Sequence, residues 1–206
     1  MNILCFGDSN TWGFDADNMC RFPKETRWTN KLQKYLGENY TVSEFGICDM
    51  TFGTPDPFYD CCDGSKNIIP AIRANSPVDY VVVSLGINDC KKYLFNSLDT
   101  ILQDAGKLIY KIQRYSDLNT SSPKVIVCAQ AVPREKFIES YPEDFDGDSV
   151  RKIFQLNGKL KRLCEQMNVL YCDVPYFVDF GVDGGHYSAE GHDSFAKNLA
   201  EFIKSL

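Results

Sequence analysis

The run Val78-Asp79-Tyr80-Val81-Val82-Val83-Ser84-Leu85-Gly86 constrains the fold more than any other part of the chain. Its β-branched residues favour a strand over a helix. Its apolar character is nearly continuous, so both faces of that strand must be covered, as in the centre of a parallel sheet. Four weaker strand signals accompany it. They are Ile3–Phe6, stopped by Gly7; the alternating Tyr40–Gly46; Pro123–Gln130; and Val169–Val174.

Helical patterns lie between them. Arg27–Leu36 spaces Trp28, Leu32, Tyr35 and Leu36 on one face, and Gly37 is a suitable stop. Ser97–Tyr115 repeats Leu98, Ile101, Ala105, Leu108 and Ile112, a clean amphipathic stripe. Val150–Met167 carries Ile153, Phe154, Leu160 and Leu163. Ser188 can cap a last helix that buries Phe195, Leu199, Phe202 and Ile203. Strand and helix alternate without repeat or linker. The expectation is an α/β fold: a three-layer α/β/α sandwich on a five-stranded parallel sheet, in flavodoxin-like order 2-1-3-4-5, as one domain over residues 1–206.

Charge and cysteine usage narrow the partners. Acids outnumber bases 28 to 22, with no basic stripe, which argues against a nucleic-acid groove or an anionic membrane surface. No segment approaches the ~20 apolar residues of a membrane span. Met1–Phe6 lacks a basic region and is too short for a signal peptide. The nine cysteines include no C-x-x-C, and Cys5, Cys128, Cys164 and Cys172 sit in apolar runs, so a reducing, cytoplasmic setting is expected. No P-loop and no G-x-G-x-x-G offers a nucleotide anchor, so no cofactor is expected. Two histidines without H-x-H or H-E-x-x-H give no reason to expect a metal. Asp15-Ala16-Asp17 has the spacing of a phosphatase D-x-D but no preceding strand.

In such sheets the site lies beyond the carboxyl ends of the strands. Gly7-Asp8-Ser9-Asn10 follows the first strand, Gly46-Ile47-Cys48-Asp49 the second, and Gly86-Ile87-Asn88-Asp89 the third. After the fifth comes Asp179–His192, which holds both histidines. Acyl transfer needs a hydroxyl, a base to take its proton, a carboxylate to orient the base, and donors for the oxyanion. Ser9 can supply the hydroxyl. Asp183 and His186, three apart on a Gly-rich turn, can supply the other two groups. Asn88 offers an amide N–H, while Ser9 and the 46–49 loop offer backbone N–H groups.

Those four segments, in order over nearly the whole chain, resemble the motifs of the SGNH (GDSL-type) hydrolases. More closely, "ILCFGDSNTWGF", "RWT", "SLGIND" and "DGGHYS" are similar to the bacterial arylesterase/acyltransferase branch. The resemblance implies roles. Ser9 is the nucleophile, His186 the base and Asp183 its orienter, with Ser9 N–H, Asn88 and the backbone of Asp49 forming the oxyanion hole. At residue 49 this chain departs from the pattern, because many members carry glycine there. A carboxylate beside a developing oxyanion repels it unless it turns away.

Trp12 and Phe14 follow Ser9 closely and are expected to wall a small acyl pocket, one or both. Asp8 and Asp89 read as loop-bracing carboxylates and His192 as a bystander. Pro133–Ser149 is too polar for core and reads as a lid, an oligomer contact or a surface insertion. The expected function is a serine esterase of short-chain or activated esters with acyltransferase side activity. The alternatives are a carbohydrate O-deacetylase on the same site and a non-enzymatic flavodoxin-like binding module. The expected partner is a small-molecule ester, and a homo-oligomer is left open.

Overall fold

Alternate residues of each sheet strand feed two separate cores, as a period of two requires. In β1 (Asn2–Gly7), Leu4 and Phe6 join one core, while Ile3 and Cys5 join the other. The computed structural model describes residues 1–115, 122–173 and 178–206. A small hairpin follows β1, with β2 (Phe14–Asp15) antiparallel to β3 (Cys20–Arg21). The sheet continues with β4 (Thr41–Gly46), β5 (Tyr80–Ser84), β6 (Lys124–Cys128) and β7 (Leu170–Cys172). All its pairings are parallel, in the spatial order β4-β1-β5-β6-β7. Counted over the sheet strands alone this is 2-1-3-4-5. The strand expected over 169–174 is Leu170–Cys172, and Val174 lies outside the described residues.

The first core is closed by α3 (Gly64–Asn75), α4 (Leu98–Arg114) and α6 (Gly147–Met167), which contribute Ile68, Ile72, Ile101, Leu108, Ile153 and Leu160. The second is closed by α2 (Trp28–Leu36) and α7 (Ala189–Lys204), through Trp28, Leu32, Phe195, Leu199 and Ile203. Capping sets the helix starts. Ser97 accepts Thr100 N–H, Ser188 accepts Gly191 N–H, and Asp146 with Ser149 makes a reciprocal capping box. That box starts α6 one turn ahead of the apolar stripe, which begins at Val150. The sequence reading missed α3, whose Gly64 and internal Pro70 disguise the apolar face of Ile68, Ala71 and Ile72.

"RWT" gains a physical explanation. Arg27 and Thr29 both bond the Glu44 carboxylate on β4, while Trp28 between them is fully buried against Phe195 at 4.9 Å. The backbone N–H of Trp28 donates to Nδ1 of His192 (3.2 Å) on α7. Burial pushes the His192 pKa down to about 3, so this imidazole is a neutral acceptor in the core.

Asp89 sits in a short 3-10 turn, Asn88–Cys90, with no exposed surface, and its carboxyl accepts the Phe52 N–H. Burial raises its pKa to about 8, and burial likewise raises Asp8 to about 7. The unfolded chain releases both protons near the ordinary value of 3.8. A carboxyl raised in the folded state contributes stability that is complete below the unfolded pKa and is lost as pH climbs to the folded one. The free energy of unfolding is therefore expected to fall between about pH 4 and pH 8. Asp89→Asn is expected to flatten that slope. Urea titrations at several pH values measure both.

Candidate active site

Parallel register places Gly7 beside both Gly46 and Ser84, so the segments after β1, β4 and β5 emerge along one edge. Asp8 caps the four-residue helix α1 (Ser9–Trp12) by accepting Asn10 N–H at 3.0 Å, and Ser9 opens the helix facing the cleft. The 46–49 loop approaches this helix closely. A Cβ on Gly46 would lie 2.2 Å from the Trp12 nitrogen, so only glycine fits.

The loop after β7 brings its groups to the same place. Ser9 Oγ lies 2.9 Å from His186 Nε2, and His186 Nδ1 lies 2.6 Å from Asp183 Oδ2. With the ring proton on Nδ1, His186 donates to Asp183, and Nε2 accepts from the Ser9 hydroxyl. Asp183 also accepts N–H bonds from Gly185 (2.9 Å) and His186 (3.0 Å) and the hydroxyl of Tyr141 (3.0 Å). Burial pushes its carboxyl up. The His186 hydrogen bond and charge, together with the backbone N–H groups, outweigh that and hold it below the ordinary carboxylate value. A charged, saturated acceptor is what an imidazolium needs beside it.

The donors stand opposite. One N–H of the Asn88 amide bonds the Met50 carbonyl at 3.2 Å, which fixes the side chain and leaves a second N–H. Among the described residues, neither the Ser9 nor the Asp49 backbone N–H has a hydrogen-bond partner. Asp49 adopts φ +65°, the left-handed region that favours glycine. Its carboxylate bonds the Lys91 ammonium at 2.7 Å.

These groups line a cavity of about 200 Å³ walled by Phe14, Tyr59, Ile87, Phe137, Tyr141 and Phe145. Asp8, Asp49 and Asp144 add carboxyl groups, and among the described residues no Lys or Arg lines it. Of the two aromatics expected in an acyl pocket, Phe14 lines the cavity, 4.6 Å from the His186 ring. Trp12 lies outside it, in a neighbouring groove with Gly46, Cys48 and Tyr59, and the Arg21 guanidinium stacks over it. Among the described residues, no group of three or more His, Cys, Asp or Glu side chains is placed to hold a metal ion. No helix there is long and apolar enough to cross a membrane.

Two contributions escaped the sequence reading. Asn10 accepts the Tyr187 N–H at 2.9 Å, a brace beside the Ser9–His186 contact. The 133–149 segment forms a wall of the cavity: α5 (Glu135–Ser140) and the turn after it bury Phe137 and Phe145 and aim Tyr141 at Asp183. The signal was present as Phe137, Tyr141 and Phe145, spaced four apart among charged residues. Gly185 packs against that wall, since a Cβ there would lie 2.0 Å from the Phe137 ring.

A hydroxyl, an imidazole and a carboxylate in a hydrogen-bonded row at this edge of an α/β sheet are the parts of a serine-type ester hydrolase. The model of the GDSL-like Lipase/Acylhydrolase family matches residues 5–193, and the chain belongs to that family. It is a carboxylic ester hydrolase, which sets aside the binding-module alternative. Among solved structures it is similar to Est24, a carbohydrate acetylesterase from Sinorhizobium meliloti (29% identity, 99% of this chain and 98% of that one, TM-score 0.92). It is also similar to the aryl esterase of M. smegmatis (27% identity, 100% and 99%, TM-score 0.87). Comparison with curated protein sequences gives no match.

Tyr141→Phe removes one donor from the Asp183 carboxylate and little volume. A hydrogen bond to a charged group contributes about 1.5–3 kcal/mol. We predict a loss of kcat of about tenfold, equal to ~1.4 kcal/mol, with KM nearly unchanged, measured on a p-nitrophenyl ester.

Proposed function

We propose that this hydrolase is a serine esterase of short-chain or activated carboxylic esters, working through an acyl-enzyme. The observation that carries the reading is the unbroken row Ser9 Oγ, His186, Asp183, with contacts of 2.9 and 2.6 Å, whose Ser9 and His186 line the cavity. Ser9 Oγ attacks the carbonyl carbon while His186 Nε2 takes its proton. Asp183 holds the ring and stabilises the imidazolium. The oxyanion is received by Asn88 Nδ2 and by the backbone N–H groups of Ser9 and Asp49. The C–O bond to the leaving alcohol breaks, and His186 returns the proton to it. Water, deprotonated by His186, then attacks the acyl-enzyme and frees the acid and Ser9. An alcohol replacing that water yields a new ester, which is the acyl-transfer side activity.

The size of the cavity, about 200 Å³, lies below the roughly 300–1,000 Å³ of sites for drug-sized ligands and favours a short acyl group. The nine cysteines are all free and most are buried, which supports a reducing, cytoplasmic setting. A second reading, deacetylation of a carbohydrate, is favoured by the similarity to Est24.

Ser9→Ala is expected to lower kcat by ~10⁴–10⁶ and to abolish labelling by an organophosphonate. Asn88→Ala is expected to cost about 10²–10³ in kcat. Retention of most activity by Ser9→Ala would overturn the acyl-enzyme. Parallel kcat/KM measurements on acetylated sugars and on aryl acetates separate the two substrate readings, the larger value naming the class.

A further inference from the structure

Lys91 follows the Asn88–Cys90 turn, and its side chain has no solvent exposure. Its ammonium bonds the Asp49 carboxylate at 2.7 Å and the Asp56 carboxylate at 3.2 Å. Tyr93 donates its hydroxyl to the same Asp56 oxygen at 2.8 Å. The rings of Tyr59 and Tyr93 lie 4.8 and 5.6 Å from the ammonium. Burial alone would lower the Lys91 pKa. The Asp49 hydrogen bond and charge, with help from Tyr93, hold it above its ordinary value. A buried cation so completely surrounded has no route to the substrate. It acts through what it holds.

What it holds is residue 49, the one position of the oxyanion loop where this sequence carries a charged side chain in a glycine-like conformation, φ +65°. Two difficulties meet there. An aspartate gives up favourable backbone freedom to stay left-handed. Asp49 lines the cavity in which negative charge develops, and so brings a carboxylate close to it. The ion pair answers both: it ties the side chain, and therefore the backbone, and it neutralises the carboxylate. We propose that Lys91 is a positioning residue for ester hydrolysis, holding Asp49 so that its backbone N–H can serve the oxyanion where a glycine would otherwise be required. The proposal rests on the assignment of the Asp49 N–H as an oxyanion donor.

Lys91→Met is expected to lower kcat at least tenfold, toward the ~10²–10³ cost of losing a donor, with KM moved by less than about twofold and the rate of Ser9 labelling reduced in parallel. Glycine at 49 is left-handed without a tether and carries no charge. Lys91→Met/Asp49→Gly is therefore expected to regain at least half of the lost log kcat. A purely structural lysine gives no such rescue, and its absence overturns the proposal, as does an unchanged kcat in Lys91→Met. Where Lys91→Met does not fold, Asp49→Ala and Asp49→Gly carry the test with Lys91 still paired to Asp56. Alanine is expected to lose at least tenfold in kcat and glycine clearly less, and equal values for the two overturn the proposal. Ser9→Ala assayed alongside separates the cases. Its retained activity defeats the acyl-enzyme itself, whereas its loss beside an unaffected Lys91→Met defeats only the role of Lys91.

Discussion

The site depends on one long-range closure. The turn after the first strand and the loop before the last helix, 177 residues apart, are joined by two neighbouring hydrogen bonds, Ser9 to His186 and Asn10 to Tyr187. The second of these links a buried amide to backbone and involves none of the reacting atoms, so it can hold the register of the first through a catalytic cycle. Further contacts support the closure from the outside. Asp17 accepts the Val182 N–H, Trp28 N–H binds His192, and Lys31 and Tyr35 on α2 bond Asp193 on α7. The helix pair α2 and α7 thus clamps together the two ends of the chain that carry Ser9 and His186.

The electrostatics follow one plan with three treatments of carboxyl groups. Asp183 is given donors from every side and stays ionised. Asp8 and Asp89 are buried with few donors, and their pKa values rise to about 7 and about 8. All three are nearly or wholly shielded from solvent, but Asp8 and Asp89 lie deeper than Asp183 and receive fewer donors. Asp49 and Asp56 are the third case, two carboxylates that share a single buried ammonium.

Much of this was legible in the sequence, for reasons that differ by element. The β-branched run through Val81–Val83 and the stripe of α4 fixed the layer architecture because their periods are unambiguous. Ser9 and Asn88 stood out because polar clusters abruptly end apolar strands, and Asp183 and His186 because they stand three apart on a Gly-rich turn; the structure lines one cavity with Ser9, Asn88 and His186 and bonds Asp183 behind His186. Three features were hidden. Helix α3 is punctuated by glycine and proline. Lys91 meets Asp49 only through tertiary contact across 42 residues. The wall residues Phe137, Tyr141 and Phe145 repeat over too short a stretch to stand out among their charged neighbours.

That wall has a consequence for how such an enzyme can diversify. Phe137 belongs to the main core cluster and also borders the cavity, whereas Phe14 borders the cavity and belongs to neither core. Truncating a buried phenylalanine costs ~3–5 kcal/mol, a large part of a domain's ~5–15 kcal/mol margin. Mutational drift that enlarges the chamber is therefore steered to Phe14, and the Phe137 wall stays nearly frozen by the thermal tolerance it underwrites.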